Sequence, residues 1–127
     1  MAGVRVVRAA EMRPPGTAPT PGMDRREAYD DHGAWAGTVR TTEGVVTGWH
    51  VHGGHDTYLY VVSGSLTIES GPGGRVRVDA AAGDFVLIPR GLVHREGTAA
   101  GSSGVEAVLV RVGEGEPVTN VDGPEPG

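Results

Sequence analysis

The chain alternates between short apolar runs and breaks that contain glycine or proline, most regularly from Trp35 onward. Side chains in a β-strand point alternately to opposite faces, so alternating apolar and polar positions indicate half-buried strands. The segments with this pattern are 4–8, 35–41, 45–52, 57–62, 65–70, 75–79, 84–89 and 105–112. No window has a sustained apolar period of about 3.6 residues, the signature of an amphipathic helix. The one helical signal is the acidic start of 24–27, which predicts a single turn.

Turn residues separate the predicted strands at intervals of about eight to twelve residues, which is typical of an all-β sandwich or barrel. Glycine accounts for 22 of the 127 residues, and there are nine prolines, so turn formers are abundant. A chain of this length can bury one core but not two. We therefore predict a single all-β domain at 24–112, an N-terminal strand with a proline-rich arm at 1–23, and a flexible tail at 113–127.

The charge and cysteine content exclude several classes of partner and ligand. The net charge is -5, and no basic block is present, which disfavours nucleic acid and anionic membranes as partners. The chain has no cysteine, so any bound metal must be held by nitrogen or oxygen. No apolar segment approaches the length that crosses a membrane or forms a signal peptide, so we expect a cytoplasmic protein.

Three of the five histidines lie close together, at His50, His52 and His55. In a strand, His50 and His52 project to the same face, about 7 Å apart at a rise of about 3.3–3.4 Å per residue. Two imidazoles with this spacing can bind one metal ion from one side if a third ligand arrives from elsewhere. The alternative is that both are ordinary polar residues on a half-exposed strand.

His94 is the candidate for the third ligand. It follows an apolar run at 85–88 and a bend at 89–91, where Pro89 ends the strand and Gly91 permits a second turn. Such a bend returns the chain across the barrel interior. We therefore expect His94 to approach the face that carries His50 and His52.

The spacing of these residues resembles the spacing within the two sequence motifs of small single-domain cupins. The first motif is matched by Gly44, His50, His52, Thr57 and Gly64, and the second by Gly83, Pro89, Gly91, His94 and Thr98. The resemblance covers a little under half of the chain. It implies a cupin-type jelly-roll β-barrel with a metal in its mouth, and often a homodimer that exchanges N-terminal strands.

Two positions depart from the cupin pattern. Thr57 stands where cupins usually have a glutamate ligand, and Thr98 where they usually have asparagine. The resemblance therefore implies a three-histidine metal site, His50, His52 and His94, similar to the iron sites of some cupin dioxygenases that act on thiols or diketones. Imidazole accepts Fe, Mn, Ni, Cu and Zn alike, so the identity of the divalent transition metal stays open.

Neighbouring residues are candidates for supporting roles around this site. His55 and Asp56 are the nearest substitutes for the missing glutamate, either as ligands or as residues that orient a ligand, and Thr57 lies beside them. The candidate pocket lining is Val46, Gly48, Leu59, Phe85 and Leu87. By strand alternation, Tyr58 and Tyr60 face away from this pocket. The charged residues nearest to the site, Arg40, Arg95 and Glu96, are interpreted as solvated surface groups.

Three neutral imidazoles leave the charge of a divalent ion uncompensated, which favours an anionic or chelating organic ligand. We therefore expect a metal-dependent enzyme, dioxygenase-like or an isomerase or lyase, that acts on a small anionic metabolite. The alternative is a non-catalytic cupin that binds a metal or small molecule as a sensor or store. No catalytic residue beyond the metal ligands is assigned, because one fold hosts many activities.

Overall fold

The computed structural model describes residues 3–16, 19–31, 33–114 and 118–124. The described residues form nine strands: β1 Met23–Asp31, β2 Ala34–Thr42, β3 His50–Val51, β4 Gly54–Ser70, β5 Val76–Ala81, β6 Phe85–Ile88, β7 His94–Thr98, β8 Gly104–Glu114 and β9 Thr119–Asn120. Two short 3-10 turns lie at Ala9–Glu11 and Pro72–Gly74. Among these residues no helix is long and apolar enough to cross a membrane.

The strands form one curled antiparallel sheet in the order β1-β2-β8-β4-β7-β3-β9, and β5 and β6 also pair with β4. The first half of β4 pairs with β6 and β8, and its second half pairs with β5 and β7. A register shift between Val61 and Ser63, followed by Gly64 at a φ of 78°, marks the bend between the halves. The strands predicted at 57–62 and 65–70 are therefore one bent strand. The predicted all-β barrel-type fold is confirmed.

The core lies between the two halves of the curled sheet. On β8, Val105, Ala107 and Leu109 alternate inward and are buried. Leu59 on the first half of β4 and Leu66 on the second half also face the interior. The second half of β4 pairs with β7, the strand that begins at residue 94. The core thus supports the segment that carries the third histidine.

Two local predictions for the N-terminal part were wrong. Residues 3–8 contain no strand, and a β-bridge between Arg13 and Glu27 pairs the arm with the sheet. Residues 24–27 belong to β1 instead of a helical turn, because Arg25 pairs with Val39 and Glu27 with Gly37 along β2. Pairing with a neighbouring strand here overrides a local capping signal, as tertiary context often does.

The predicted tail also differs from the expectation. Thr119 and Asn120 pair with β3, and the backbone N–H of Val121 donates to the carbonyl of Trp49 at 3.0 Å. The prediction of a loosely held tail is therefore wrong at these residues. Residues 115–117 and 125–127 lie outside the described residues, as does His32. The division into an arm, a barrel and a tail otherwise stays a prediction.

Candidate metal centre

The three histidines predicted from the sequence converge inside the barrel. Strand β3 pairs with β7 so that His50 lies directly opposite His94, and His52 follows β3 on the same side. The ring centroids are 4.3 Å apart for His50 and His94, 5.0 Å for His50 and His52, and 4.9 Å for His52 and His94. Their exposed fractions are only 5%, 3% and 0% for His50, His52 and His94. Two segments distant in sequence thus present three buried imidazoles to one point.

Glu96 is a fourth member of this cluster, and its interpretation as a solvated surface charge was wrong. Its Oε1 atom lies 3.7 Å from Nε2 of His50 and 4.0 Å from Nε2 of His94, and its side chain is 11% exposed. One possible ligand atom from each of the four residues, the histidines and Glu96, lies within 4.8 Å of the other three. The signal was available in the sequence, because Glu96 stands two residues after His94 on one strand and therefore shares its face.

Backbone carbonyls orient two of the imidazoles. Nδ1 of His50 lies 2.8 Å from the carbonyl oxygen of Gly48, and Nδ1 of His94 lies 3.0 Å from that of Leu92. A carbonyl oxygen can only accept, so each Nδ1 carries the proton and donates it. Each Nε2 is then left with a lone pair that can bind a metal.

The chemistry of the donor atoms fits a divalent metal ion. Nε2 of His94 is buried and has no hydrogen-bond partner within the described part of the chain. A buried nitrogen lone pair without a partner is unfavourable, and a coordinated cation would satisfy it. Three imidazole nitrogens and one carboxylate oxygen form a set that Fe, Mn, Ni, Cu and Zn all accept. The site therefore has the components of a metal centre, with one carboxylate more than the sequence predicted.

The charges in the cluster suit the binding of a cation. Burial lowers the pKa of His94, although the nearby carboxylate of Glu96 acts in the opposite direction, so the ring is neutral at physiological pH. Burial by itself raises the pKa of Glu96, but its contact with His50 and the influence of the other two histidines lower the pKa to about 2. Glu96 is therefore ionised, and it compensates one of the two charges of a divalent ion. This changes the expectation of three neutral ligands.

The structure does not bring His55 or Asp56 into the cluster. Nδ1 of His55 lies 3.1 Å from the carbonyl oxygen of His52, and this contact spans the turn between them. Asp56 accepts hydrogen bonds from the backbone N–H of Arg90 at 2.9 Å and from its Nη2 at 3.0 Å, and these bonds lower the pKa of Asp56. Asp56 thereby anchors the bend that precedes His94. Thr57 is 1% exposed, and its Oγ1 has no hydrogen-bond partner among the described residues.

The predicted pocket lining was wrong for Phe85 and Leu87, which are 81% and 56% exposed. They pair with Tyr60 and Tyr58, so all four side chains lie on the outer face of the sheet, where the rings of Tyr60 and Phe85 pack 4.9 Å apart. The outward orientation of the two tyrosines was predicted correctly, but the same register was not applied to β6. The two other predicted lining residues, Val46 and Gly48, also lie outside the cavity wall described below, and Val46 is 53% exposed.

A small interior cavity of about 20 Å³, enough for a water-sized group, adjoins the cluster through Glu96. Leu59, predicted as a lining residue, forms part of its wall together with other apolar side chains of β2, β4 and β8. Sequence reasoning missed two charged residues in this wall, Arg25 on β1 and Arg111 on β8. Strand alternation would have placed Arg111 inward, in one row with Val105, Ala107 and Leu109.

The described geometry agrees with comparisons to known proteins. Residues 37–111 match the family model Cupin_2, described as a cupin domain. No curated protein matches the chain.

Solved structures with a similar fold come from several organisms. An uncharacterized conserved protein with a double-stranded β-helix domain from Klebsiella pneumoniae has a TM-score of 0.71 at 19% identity, over 94% of this chain and 98% of that one. The cupin domain of Cnp3 from Schizosaccharomyces pombe has a TM-score of 0.66 at 10% identity, over 78% and 70%. KdgF from a Halomonas species has a TM-score of 0.62 at 22% identity, over 77% and 86%. At these identities the likeness concerns the fold alone.

Proposed function

Because this chain belongs to the cupin domain family, we propose that it binds a divalent transition metal through His50, His52, His94 and Glu96 and uses it in an enzymatic reaction on a small anionic organic metabolite. The single observation that carries the proposal is the convergence of three buried histidines and the half-buried Glu96, with their ligand atoms within 4.8 Å of one another. The reaction classes that suit such a centre are dioxygenation and metal-assisted isomerisation or elimination.

The residues of the chain have separable roles in this proposal. The carbonyls of Gly48 and Leu92 hold two imidazoles in the tautomer that leaves Nε2 free. Glu96 supplies the one negative charge and also forms part of the cavity wall, so a molecule in the cavity lies next to a metal ligand. A divalent ion held there would act as a Lewis acid with coordination positions left for a substrate.

A non-catalytic binding protein is the second candidate, and the composition of the cavity wall favours it. Glu96 is the only carboxylate among the described lining residues, its low pKa keeps it ionised, and it belongs to the metal cluster. The two other charged lining residues, Arg25 and Arg111, keep their protons at that pH. A protein with this wall can bind and release a small acid without changing it.

The first experiment measures the metal itself. The protein is purified without a histidine tag, reconstituted with each of the five metals, dialysed and subjected to elemental analysis. We expect about one ion per chain in the parent and strong loss in His50→Ala and His94→Ala. His55→Ala is the matched control, because it removes a histidine from the same segment but outside the cluster. Equal metal content in the parent and in His94→Ala would refute the proposal.

A second experiment separates the enzyme from the binding protein. The reconstituted protein is incubated with a panel of small organic acids, with and without oxygen, and substrate loss and oxygen consumption are followed. Turnover that is absent in His94→Ala supports the enzyme. Saturable binding of an acid without any turnover, for every metal, supports the non-catalytic role.

A further inference from the structure

Arg111 is a buried cation, and no carboxylate of the described residues pairs with it directly. Its side chain lies on the inner face of β8, and the residue is 7% exposed. Its Nε atom is buried and has no hydrogen-bond partner among the described residues. The guanidinium carbon lies 5.2 Å from the centre of the Trp35 ring. Burying a charge without a hydrogen-bonded counter-charge is unfavourable, so a bound anion would stabilise the guanidinium of Arg111.

The Trp35 ring that contacts Arg111 is itself held in place by hydrogen bonds. Nε1 of Trp35 donates to Oε1 of Glu27 at 2.7 Å, and Nε of Arg13 donates to Oε2 of the same carboxylate at 3.0 Å. Glu27 is itself buried, with 6% of its surface exposed. The indole is therefore fixed, and its face supports the guanidinium of Arg111 through a cation–π contact. The side chain is positioned before any ligand arrives.

Arg25 brings a second guanidinium to the same cavity. Its Nη1 donates to Oγ1 of Thr20 at 2.9 Å and its Nη2 donates to the sulfur of Met23 at 3.6 Å, and neither partner carries a charge. Burial lowers the pKa of Arg25, and burial together with the charge of Arg25 lowers the pKa of Arg111 to about 10. Both groups remain protonated at neutral pH. Neither forms an ion pair with a carboxylate in the part of the chain that the structure describes.

Glu96 does not remove this excess of positive charge. It lines the same cavity and acts on both arginines through its charge, but without direct contact. Two cations and one anion leave a net charge of one positive unit in a largely apolar cavity. One further carboxylate would neutralise it.

Thr57 adds a neutral donor on the same rung of the sheet. It is the direct partner of Arg111 across the β4–β8 ladder, and its Oγ1 is also buried without a hydrogen-bond partner among the described residues. A carboxylate has two oxygens that accept from a guanidinium fork and from a hydroxyl at once. Apart from Thr41 and Glu96, the remaining wall is apolar and suits the short hydrocarbon part of a small acid.

We propose that Arg25 and Arg111, with Thr57 beside them, form a binding site for the carboxylate of a small monocarboxylic acid inside the barrel. The inference rests on the proposed function only in that the acid would be the substrate or ligand of that same cavity. The anion site itself is built from residues outside the metal cluster, so it can be tested in metal-free protein.

The test uses Trp35 as a reporter of ligand binding. A Trp49→Phe substitution removes the only other tryptophan of the chain, so that the fluorescence comes from Trp35 alone. The chelator-treated protein is titrated with acetate, propionate and butyrate at constant ionic strength with chloride. Acetamide serves as the neutral analogue, and phosphate as the alternative anion. We expect saturable binding of the carboxylates and none of acetamide.

Variants then assign the binding to the two arginines. We expect Arg111→Met and Arg25→Met each to weaken carboxylate binding by about tenfold or more, because each removes charge-assisted hydrogen bonds. Arg111→Lys keeps the charge but not the fork and is expected to lose less. Arg77→Met is the matched control, since Arg77 is an exposed arginine paired with Asp79 on β5.

Several outcomes would overturn the inference. The parent titration suffices by itself, so the test does not depend on whether the variants fold, which circular dichroism checks separately. An absence of saturable carboxylate binding in the parent refutes the site. Undiminished binding in both folded arginine variants refutes the assignment, and saturation by phosphate alone refutes the choice of a carboxylate. Metal binding is measured independently, so either proposal can fail without the other.

Discussion

Replacement of Gly97 by alanine tests how the segment before β3 is held against the metal cluster. Gly97 lies on β7 between Glu96 and Thr98, where the chain at Val45 and Val46 crosses it closely. A Cβ added at this position would overlap the carbonyl oxygen of Val45 and lie 2.7 Å from Cα of Val46. Both obstacles are backbone atoms, so the added methyl group must push the two segments apart.

The expected loss of stability follows from the hydrogen bonds across this contact. The backbone N–H of Thr47 donates to the carbonyl of Glu96 at 2.8 Å, that of Thr98 donates to Val45 at 3.1 Å, and that of Glu96 donates to Oγ1 of Thr47 at 3.1 Å. Losing three bonds of about 1 kcal/mol each gives about 3 kcal/mol. Reduced freedom of the unfolded chain offsets about 0.5–1 kcal/mol of this. The net loss of about 2–2.5 kcal/mol corresponds to a drop in Tm of about 6–12 °C.

The assay is thermal unfolding of the metal-free protein, followed by a metal titration. Because Glu96 moves with the displaced segment, metal affinity should also fall, by about tenfold or more. Gly16→Ala is the control, since a methyl group there meets nothing within 4 Å and the residue lies outside the metal cluster. A Gly97→Ala variant with parental Tm and parental metal affinity would show that the close contact does not hold the site together.

Three further predictions concern the charges and the faces of the barrel. Glu96→Gln should lower metal affinity by about tenfold to a hundredfold in a calorimetric titration, because it removes the only charged ligand; equal affinity would remove Glu96 from the site. The metal-free protein should lose stability as the pH falls below 6.5, because the pKa of His94 is lowered in the folded state and the unfolded chain therefore binds the proton more readily. It should lose further stability below pH 4.5, because the pKa of Glu96 is also lowered in the folded state. Thermal unfolding at pH values from about 7.5 to about 4 checks this, and a constant Tm would contradict it. Leu59→Ala should destabilise the protein by about 2–5 kcal/mol and Leu87→Ala by less than about 1 kcal/mol, because the first residue is 2% exposed and the second 56%; denaturant unfolding compares them, and similar losses would contradict the assigned faces.

The convergence of His50, His52 and His94 could be predicted because it depends on two local rules. Side chains two apart on a strand share a face, and a bend of proline and glycine returns the chain. Glu96 obeys the first rule as well. It was missed because the cupin resemblance directed the search for a carboxylate to the position of Thr57 on β4, whereas the structure supplies one from β7.

The cavity wall could not be predicted to the same depth, because its faces depend on strand register. Phe85 and Leu87 belong to an apolar run that is typical of a buried strand. Their pairing with Tyr60 and Tyr58 shows that they face outward. A shift by one residue would reverse the faces. Arg25 was hidden by a local helical signal that pairing with β2 overrides. Formation of a homodimer stays a prediction that light scattering can test.

The most direct measurement of the central claim is a crystal structure of the zinc-reconstituted protein with diffraction data collected on both sides of the zinc absorption edge. The account predicts one anomalous peak per chain inside the barrel, about 2.0–2.2 Å from Nε2 of His50, His52 and His94 and from a carboxylate oxygen of Glu96. A peak bound elsewhere, or an ordered protein with no peak among these four side chains, would contradict it.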